Sequence, residues 1–452
     1  MGGSMLNNNY ISTVPFSGLF NWSVQYLNDS KISFSKAYPM MRIGEFLKRN
    51  KTAVIIEDDK TYKRATIKVR NGGIFLRDEE IGSKIGTKNQ FLIFKGQFLL
   101  SKIDARNGAF GVVPEDLDGG IITGNFWTFD VNYDIVNPHY LALLTTTKAF
   151  VDFCEQASNG TTNRHYLQEP LFLNIKVPIP SLDEQNKLVE EYNKQISSAD
   201  SLMEEAKQEE KDIQTYIISK LGIKLPKDHF TSIKRKNNLI SFVNYKDIDR
   251  WDMWFKDIYI STLLDKSPYP ISKLGLFDFI TRGWKKDSDN FRYIETGDVD
   301  PIFGIINDTN LSTYNAPSRA TQSIKTGDLI IGTTRPYLKR FAIVSEKHNQ
   351  CVCSSAFQVI EPNKRYNIEY VYYFLQTQLG IIQIETYMTG ALYPAINTSD
   401  LRQIKIILPP LSIQNLIVQY ANQKRESIKL NISKSNQKYI DALKNFETLI
   451  FE

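Results

Sequence analysis

Eleven positions recur at alternating steps of three and four: Leu182, Gln185, Val189, Tyr192, Ile196, Ala199, Met203, Ala206, Glu210, Ile213 and Ile217. A second series does the same: Leu411, Gln414, Val418, Ala421, Arg425, Ile428, Ile432, Ser435, Tyr439, Ala442 and Phe446. The two match position for position at an offset of 229, with no insertion between them. Most members are apolar, so the spacing predicts two long helices, each with a narrow apolar seam. A sustained period of about 3.5 residues belongs to a coiled coil, and about 40 residues make a rod of roughly 60 Å. One such stripe is too narrow to hold a helix alone, and the obvious cover for each is the other. If a pseudo-two-fold relates the segments, the helices pair antiparallel and bring Glu210 within about a turn of Arg425. Two helices lying separately, each on its own domain, would not require a register kept without an indel.

Each seam follows a mixed region. Runs such as "GQFLLSKI" from Gly96, "GVV" from Gly111 and "LIIGTT" from Leu329 predict strands. "PHYLALLTTTKAFVDFC" from Pro138 and "IEYVYYFLQTQLGIIQIETYM" from Ile368 each predict a helix. The order is mixed rather than alternating, which gives an α+β class. These regions also repeat. Tyr38–Phe46 meets Tyr269–Phe277 and Gly96–Val113 meets Gly327–Val344, both at an offset of 231. Asn159–Leu167 meets Thr389–Asn397 at 230, and Asn21–Leu27 meets Arg250–Lys256 at 229. Identity within the pairs is low, but chance does not keep one offset within two residues over most of a chain. The chain is a tandem duplication with a half-length of about 226 residues.

Composition narrows the class without choosing a function. Of 452 residues, 42% are hydrophobic and 12% aromatic, enough for packed cores. No apolar run approaches the ~20 residues that span a bilayer, so no membrane role is expected. The opening Met-Gly-Gly-Ser before a second Met reads as an expression remnant. Three cysteines, Cys154, Cys351 and Cys353, cannot build a disulfide framework, which points to a reducing cytoplasm. Cys351-Val-Cys353 lacks the further ligands of a metal site and sits in an alternating, strand-like run, so core thiols are expected. A net charge of +5 permits nucleic-acid binding without demanding it.

No phosphate loop, dinucleotide fingerprint, zincin motif or nucleophile elbow occurs, so catalysis is not expected. Two lookalikes have ordinary explanations. Asn137-Pro138-His139-Tyr140 is similar to the base-holding motif of amino-methyltransferases, but its repeat counterpart is Asn367-Ile368-Glu369-Tyr370. What the two share is Asn ahead of an apolar helix, a helix-start signal. Asp58-Asp59-Lys60 has the Asp-x-Lys of metal nucleases without the upstream acidic partner, and reads as a polar turn.

Basic and aromatic residues remain, on loops at equivalent places in the two halves. The first half offers Arg64, Lys68, Lys102, Arg106, Arg164 and His165. The second offers Arg282, Trp284, Lys285, Lys286, Arg335, Lys339, Arg340 and Tyr393. Arg and Lys neutralise phosphates and read guanine edges. Any one of these could be ordinary surface charge; a set repeated in both halves is better explained by DNA contact.

At this point the chain resembles the specificity subunit of Type I restriction–modification enzymes. The likeness starts near residue 15 and rests on order: "GQFLLSKIDARNGAFGVVPEDLDGGIITGNFWTF", "NGTTNRHYL", then Pro-x-Leu-x-x-Gln, as "PSLDEQ" from Pro180 and "PPLSIQ" from Pro409. Ile413 stands where that family often has Glu. The resemblance implies target-recognition domains over 1–180 (with 1–4 the remnant) and 226–409, and helices over 181–225 and 410–452. The helices would form an antiparallel coiled coil with pseudo-two-fold symmetry. Its seam, or the interface to a partner, would use Leu182, Gln185, Val189, Tyr192, Ile196, Leu411, Gln414, Val418, Ile428 and Ile432. It also implies a non-catalytic cytoplasmic subunit that reads a bipartite, asymmetric site in double-stranded DNA, with the rod setting the gap. Two modification subunits would bring S-adenosylmethionine, and a restriction subunit, as a further partner, ATP and Mg. A recognition subunit of a Type II-like system and a non-DNA coiled-coil scaffold are the alternatives.

Overall fold

A computed structural model describes residues 34, 37–69, 72–159, 166–223 and 263–451. The opening remnant, the repeat pair Asn21–Leu27 and Arg250–Lys256, and the boundary at 225/226 lie outside the described residues. The chain divides into two compact units, residues 1–199 with 436–452, and residues 200–435. Each unit therefore combines one globular part with stretches of both long helices.

In the first unit, β1 (Met40–Arg42) pairs antiparallel with β13 (Lys176–Pro178). A four-stranded antiparallel sheet has the order β2 (Leu47–Asn50), β10 (Phe126–Val131), β7 (Phe98–Ser101), β8 (Phe110–Val112). A five-stranded sheet has the order β3 (Ala53–Ile55), β6 (Asn89–Ile93), β9 (Gly120–Ile122), β4 (Thr61–Ile67), β5 (Ile74–Ile81). In that sheet only β4 and β9 run parallel. Strands β11 (Ser158–Asn159) and β12 (Tyr166–Leu167) form a small ladder. Phe98, Phe129, Tyr140, Phe150 and Phe172 fill one core, all fully buried.

The second unit repeats this plan. Its β14 (Ile271–Lys273) pairs with β25 (Lys405–Ile407) as β1 does with β13. A four-stranded antiparallel sheet has the order β15 (Asp278–Ile280), β24 (Phe357–Glu361), β21 (Leu329–Gly332), β22 (Phe341–Ile343). The other main sheet has the order β20 (Ala320–Ser323), β23 (Val352–Ser354), β16 (Asn290–Ile294), β19 (Thr309–Ser312), and again only the β16–β23 pair is parallel. A single bridge, Gly283 to Gln322, stands where β3 pairs with β6. Strands β17 (Val299–Asp300) and β18 (Gly304–Ile305) form a small hairpin. Strand order and direction thus survive where identity does not, because alternation and turn positions, not particular side chains, specify pairing. Cys351 and Cys353 are buried core thiols, 1% and 0% exposed.

Each predicted upstream helix is two helices. α1 (Pro138–Thr145) and α2 (Lys148–Gln156) meet at Thr147, and α4 (Ile368–Gln376) and α5 (Gln378–Tyr387) meet at Thr377. Each threonine hydroxyl donates to a carbonyl three residues back and accepts the N–H of Phe150 or Gly380, ending one helix and capping the next. Asn137 and Asn367 are N-caps, their side chains accepting from His139 N at 2.8 Å and Glu369 N at 2.9 Å.

The two long helices are α3 (Leu182–Lys220) and α6 (Leu411–Phe451). In the second unit Lys424 lies 3.0 Å from Glu209, Arg425 lies 3.1 Å from Glu210, and the rings of Tyr216 and Tyr420 stack at 3.9 Å. Rising numbers meet falling ones, so the pair is antiparallel. In the first unit Leu188, Tyr192 and Gln195 share a small cleft with Ala442, Phe446 and Leu449, again antiparallel. Ala199, Ala206, Ile213, Ile217, Val418, Ala421, Arg425, Ile428, Ser435, Ala442 and Phe446 are all buried, as a seam requires. Val189, Ile196 and Ile432 are half-buried. Leu411 departs, at 43% exposed, because the register carries it past the end of α3 at Lys220. Leu182 is half-buried in its own unit.

Gln185 and Gln414 are both buried, and their hydrogen bonds run to the globular part of their own unit. Gln185 Oε1 accepts the Asn137 backbone N–H at 2.8 Å, and its Nε2 donates to the carbonyls of Ile135 and Pro180. Gln414 does the same with Asn367 N, at 2.8 Å, and Pro409 O.

Candidate nucleic-acid interface

The cations named from sequence separate into those spent inside the fold and those held toward solvent. Arg64, on β4, forms a bidentate pair with Asp78 on β5 at 2.6 and 2.8 Å, and this holds the Asp78 carboxyl below its ordinary range. Arg282 pairs through both guanidinium nitrogens with Asp328, itself 1% exposed at the side chain, and reaches Glu361 at 2.7 Å. Arg282, one of the cations expected at the DNA, neutralises an acid that the sheet buries. Arg340 donates to the carbonyl of Thr296 at 2.6 Å. Burial pushes the Lys339 ammonium down from its ordinary range, with Glu210 and Glu385 opposing and Arg425 reinforcing that shift, so Lys339 faces the helix pair's charges. Arg106 is half-buried within the turn Ala105–Asn107. Arg164 and His165 lie outside the described residues.

Four of the others stand over aromatic rings. Lys68 Nζ is 4.5 Å from the Phe75 ring centre, across the β4–β5 hairpin. Lys102 Nζ is 5.5 Å from Tyr166, Lys286 Nζ 5.9 Å from Trp284, and the Arg335 guanidinium 5.3 Å from Tyr393. Trp284 packs on Phe291 at 4.2 Å, leaving Lys285 and Lys286 exposed. Cations over ring faces keep their donors available while the aromatic fixes their position. Sequence reading missed Phe75 and Tyr166 as these supports. Their signal was present, since each stands in a strand flanking a basic loop, but the pairing depends on which loops meet.

The arrangement suits an anionic, base-bearing surface. Ser345, His348 and Asp308 come together, with Ser345 Oγ 2.9 Å from His348 Nδ1 and Asp308 3.6 Å from Nε2. The ring is only 3% exposed and Arg292 already holds Asp308 with two hydrogen bonds, so this cluster braces the fold. Among the described residues no group of three or more His, Cys, Asp or Glu is placed to hold a metal. Among them, too, no helix is long and apolar enough to cross a membrane.

The family model "Type I restriction modification DNA specificity domain" matches the chain twice, over residues 36–211 and 274–440. No curated protein matches it. Among solved structures, the chain is similar to one described under complex assembly and conformational transition of the type I R-M system. That match has a TM-score of 0.51 and 16% identity, covering 93% of this chain and 98% of the other. Two others are an S subunit of a Type-I restriction-modification system from M. genitalium (TM-score 0.47, 13% identity, 91% and 97% covered) and the HsdS subunit from Thermoanaerobacter tengcongensis (0.38, 16%, 92% and 96%). At 16% identity the first of these likenesses concerns the fold alone.

Proposed function

The chain belongs to the family of Type I restriction modification DNA specificity domains, carrying two of them, and from that premise we propose how it works. It reads a two-part site in double-stranded DNA, one recognition domain per part, with the helix pair setting the unread gap. It contributes no reacting group. Two modification subunits dock on it in the cytoplasm and bring S-adenosylmethionine and base-flipping chemistry. ATP and Mg belong to a restriction subunit where one joins. The single observation that carries this reading is a repeated scaffold with unlike loops. Both units share strand order and the Gln–Asn anchor, yet the equivalent loops present Lys102 on Tyr166 in one and Arg335 on Tyr393 in the other.

Unlike readers on like scaffolds predict unlike half-sites. Mapping methylated bases in cells expressing the chain with its modification subunit should return two different half-sites separated by a gap. A palindromic or ungapped site, or binding insensitive to salt, would overturn the reading.

A further inference from the structure

Resting on the reading just given, we infer that Arg335 is the residue that reads a guanine in the second half-site, and that Tyr393 is its positioning residue. Three observations converge. The first is availability. Arg64, Arg282, Arg292, Arg340 and Arg425 all donate to acids or carbonyls of the fold. Arg335 is exposed, and among the described residues its guanidinium meets no carboxylate but lies over Tyr393, itself 67% exposed.

The second observation is a junction of two loops, built twice. In the second unit the loop after β21 is bridged to the segment 389–396: Arg335 N donates to Pro394 O at 2.7 Å, and Ile396 N to Thr333 O at 3.0 Å. In the first unit the loop after β7 is held the same way, Leu167 N donating to Lys102 O at 2.8 Å, and again a cation lies over a tyrosine. A duplicated fold that rebuilds a cation–tyrosine pair at the same junction from different sequence positions uses that junction for recognition.

The third is backbone geometry. Arg335 has φ 46° and Lys339 φ 54°, the left-handed region that side-chain-bearing residues avoid. At the equivalent first-unit positions stand Asp104 at φ −105° and Gly108 at φ 73°. Strained backbone persists where surrounding structure over-determines it, often at binding sites. Here the cross-loop hydrogen bonds hold Arg335 in that conformation while its side chain rests on the ring. A planar guanidinium pre-aligned by an aromatic face presents its fork for a bidentate contact, and in DNA that geometry fits guanine O6 and N7.

The test uses the whole chain in complex with its modification subunits. Methylated-site mapping with Arg335→Ala and Arg335→Gly should leave the first half-site and the gap unchanged and make one guanine of the second half-site degenerate. The Gly variant relieves the backbone, so misfolding cannot account for that result. Replacing that guanine by 7-deazaguanine should weaken wild-type binding roughly tenfold to a hundredfold and leave the Arg335→Gly complex unaffected. Tyr393→Phe should preserve the guanine preference and Tyr393→Ala relax it at the same position. An unchanged motif in both Arg335 variants, or uniformly weaker binding with no positional change, overturns the inference in favour of a phosphate contact or none. A wild-type complex with no two-part motif overturns the underlying reading instead.

Discussion

Gln414 Oε1 accepts the backbone N–H of Asn367 at 2.8 Å, fastening the start of α6 to the start of α4. The same bond joins Gln185 to Asn137 at 2.8 Å in the other unit. Around each, Asn137 or Asn367 donates from its side chain to Asn186 or Asn415, and Tyr140 or Tyr370 donates to the carbonyl of Pro178 or Ile407. The glutamine thus ties two segments of one globular part, the start of the upstream helix and the proline before its own helix, to the first turn of that long helix.

Removing it should loosen that junction. Gln414→Ala strands the Asn367 N–H and the Pro409 carbonyl, a loss of about 2 kcal/mol for buried groups left unpaired. Gln414→Glu should be comparably harmful, because a carboxylate cannot donate to Pro409. Denaturant unfolding with a probe in the second unit measures both; wild-type midpoints would show that the bond does not hold the junction.

The Glu210–Arg425 pair, 3.1 Å apart and with Arg425 also donating to Gln376 at 2.8 Å, is a charged break in the seam. Arg425→Met leaves Glu210 without its cation and should cost about 3 kcal/mol, whereas Glu210→Leu with Arg425→Met should recover much of that loss. A double-mutant cycle reads the coupling directly. Strictly additive effects would mean that the two residues do not act as a pair.

Arg282→Ala is expected to separate stability from recognition. It leaves Asp328 buried with the Lys325 N–H as its remaining donor among the described residues, so unfolding should come at lower temperature by an amount matching about 3 kcal/mol. The methylated motif should stay the same in whatever fraction remains folded. A changed motif would place Arg282 on the DNA after all.

His348 gives a pH signature. Burial holds its pKa below the ordinary 6.5, with Lys347 adding to the shift, Asp308 opposing it and Arg292 adding again. The unfolded chain takes up the proton near 6.5 while the folded one resists it. Stability from neutral His348 is therefore full above 6.5 and is lost as pH falls through the window below it. Asp308, held below 3.8 chiefly by its hydrogen bond from Arg292, loses its contribution only as pH drops below that value. The two windows do not overlap near 6, so His348→Gln should flatten the stability slope between about pH 7 and 5. An unaltered slope would rule His348 out as its source.

The duplication, the α+β class and the antiparallel helix pair were legible because each is written as a period or an offset. The 3,4 spacing names most of the covered seam positions, and Glu210 with Arg425 follows from it once a pseudo-two-fold is assumed. The break of each upstream helix at Thr147 and Thr377 was not legible. Threonine within an apolar helical run reads as helix, and only the local hydroxyl bonds reveal a cap. The role of Gln185 and Gln414 was hidden for a different reason: a buried amide on a seam looks the same whether it faces another helix or a loop of its own domain.

By itself, the sequence determined how many times the scaffold occurs and which helix faces are covered, since both depend on spacing along one chain. Only the tertiary structure decided which cations are free. Arg64, Arg282 and Arg335 have the same side chain, and nothing within a few residues of each distinguishes them. Their partners, Asp78, Asp328 and Tyr393, stand 14 to 58 residues away, brought close by strand pairing and loop contact. A carboxylate neutralises a guanidinium and consumes its donors; a ring face orients it and leaves them available.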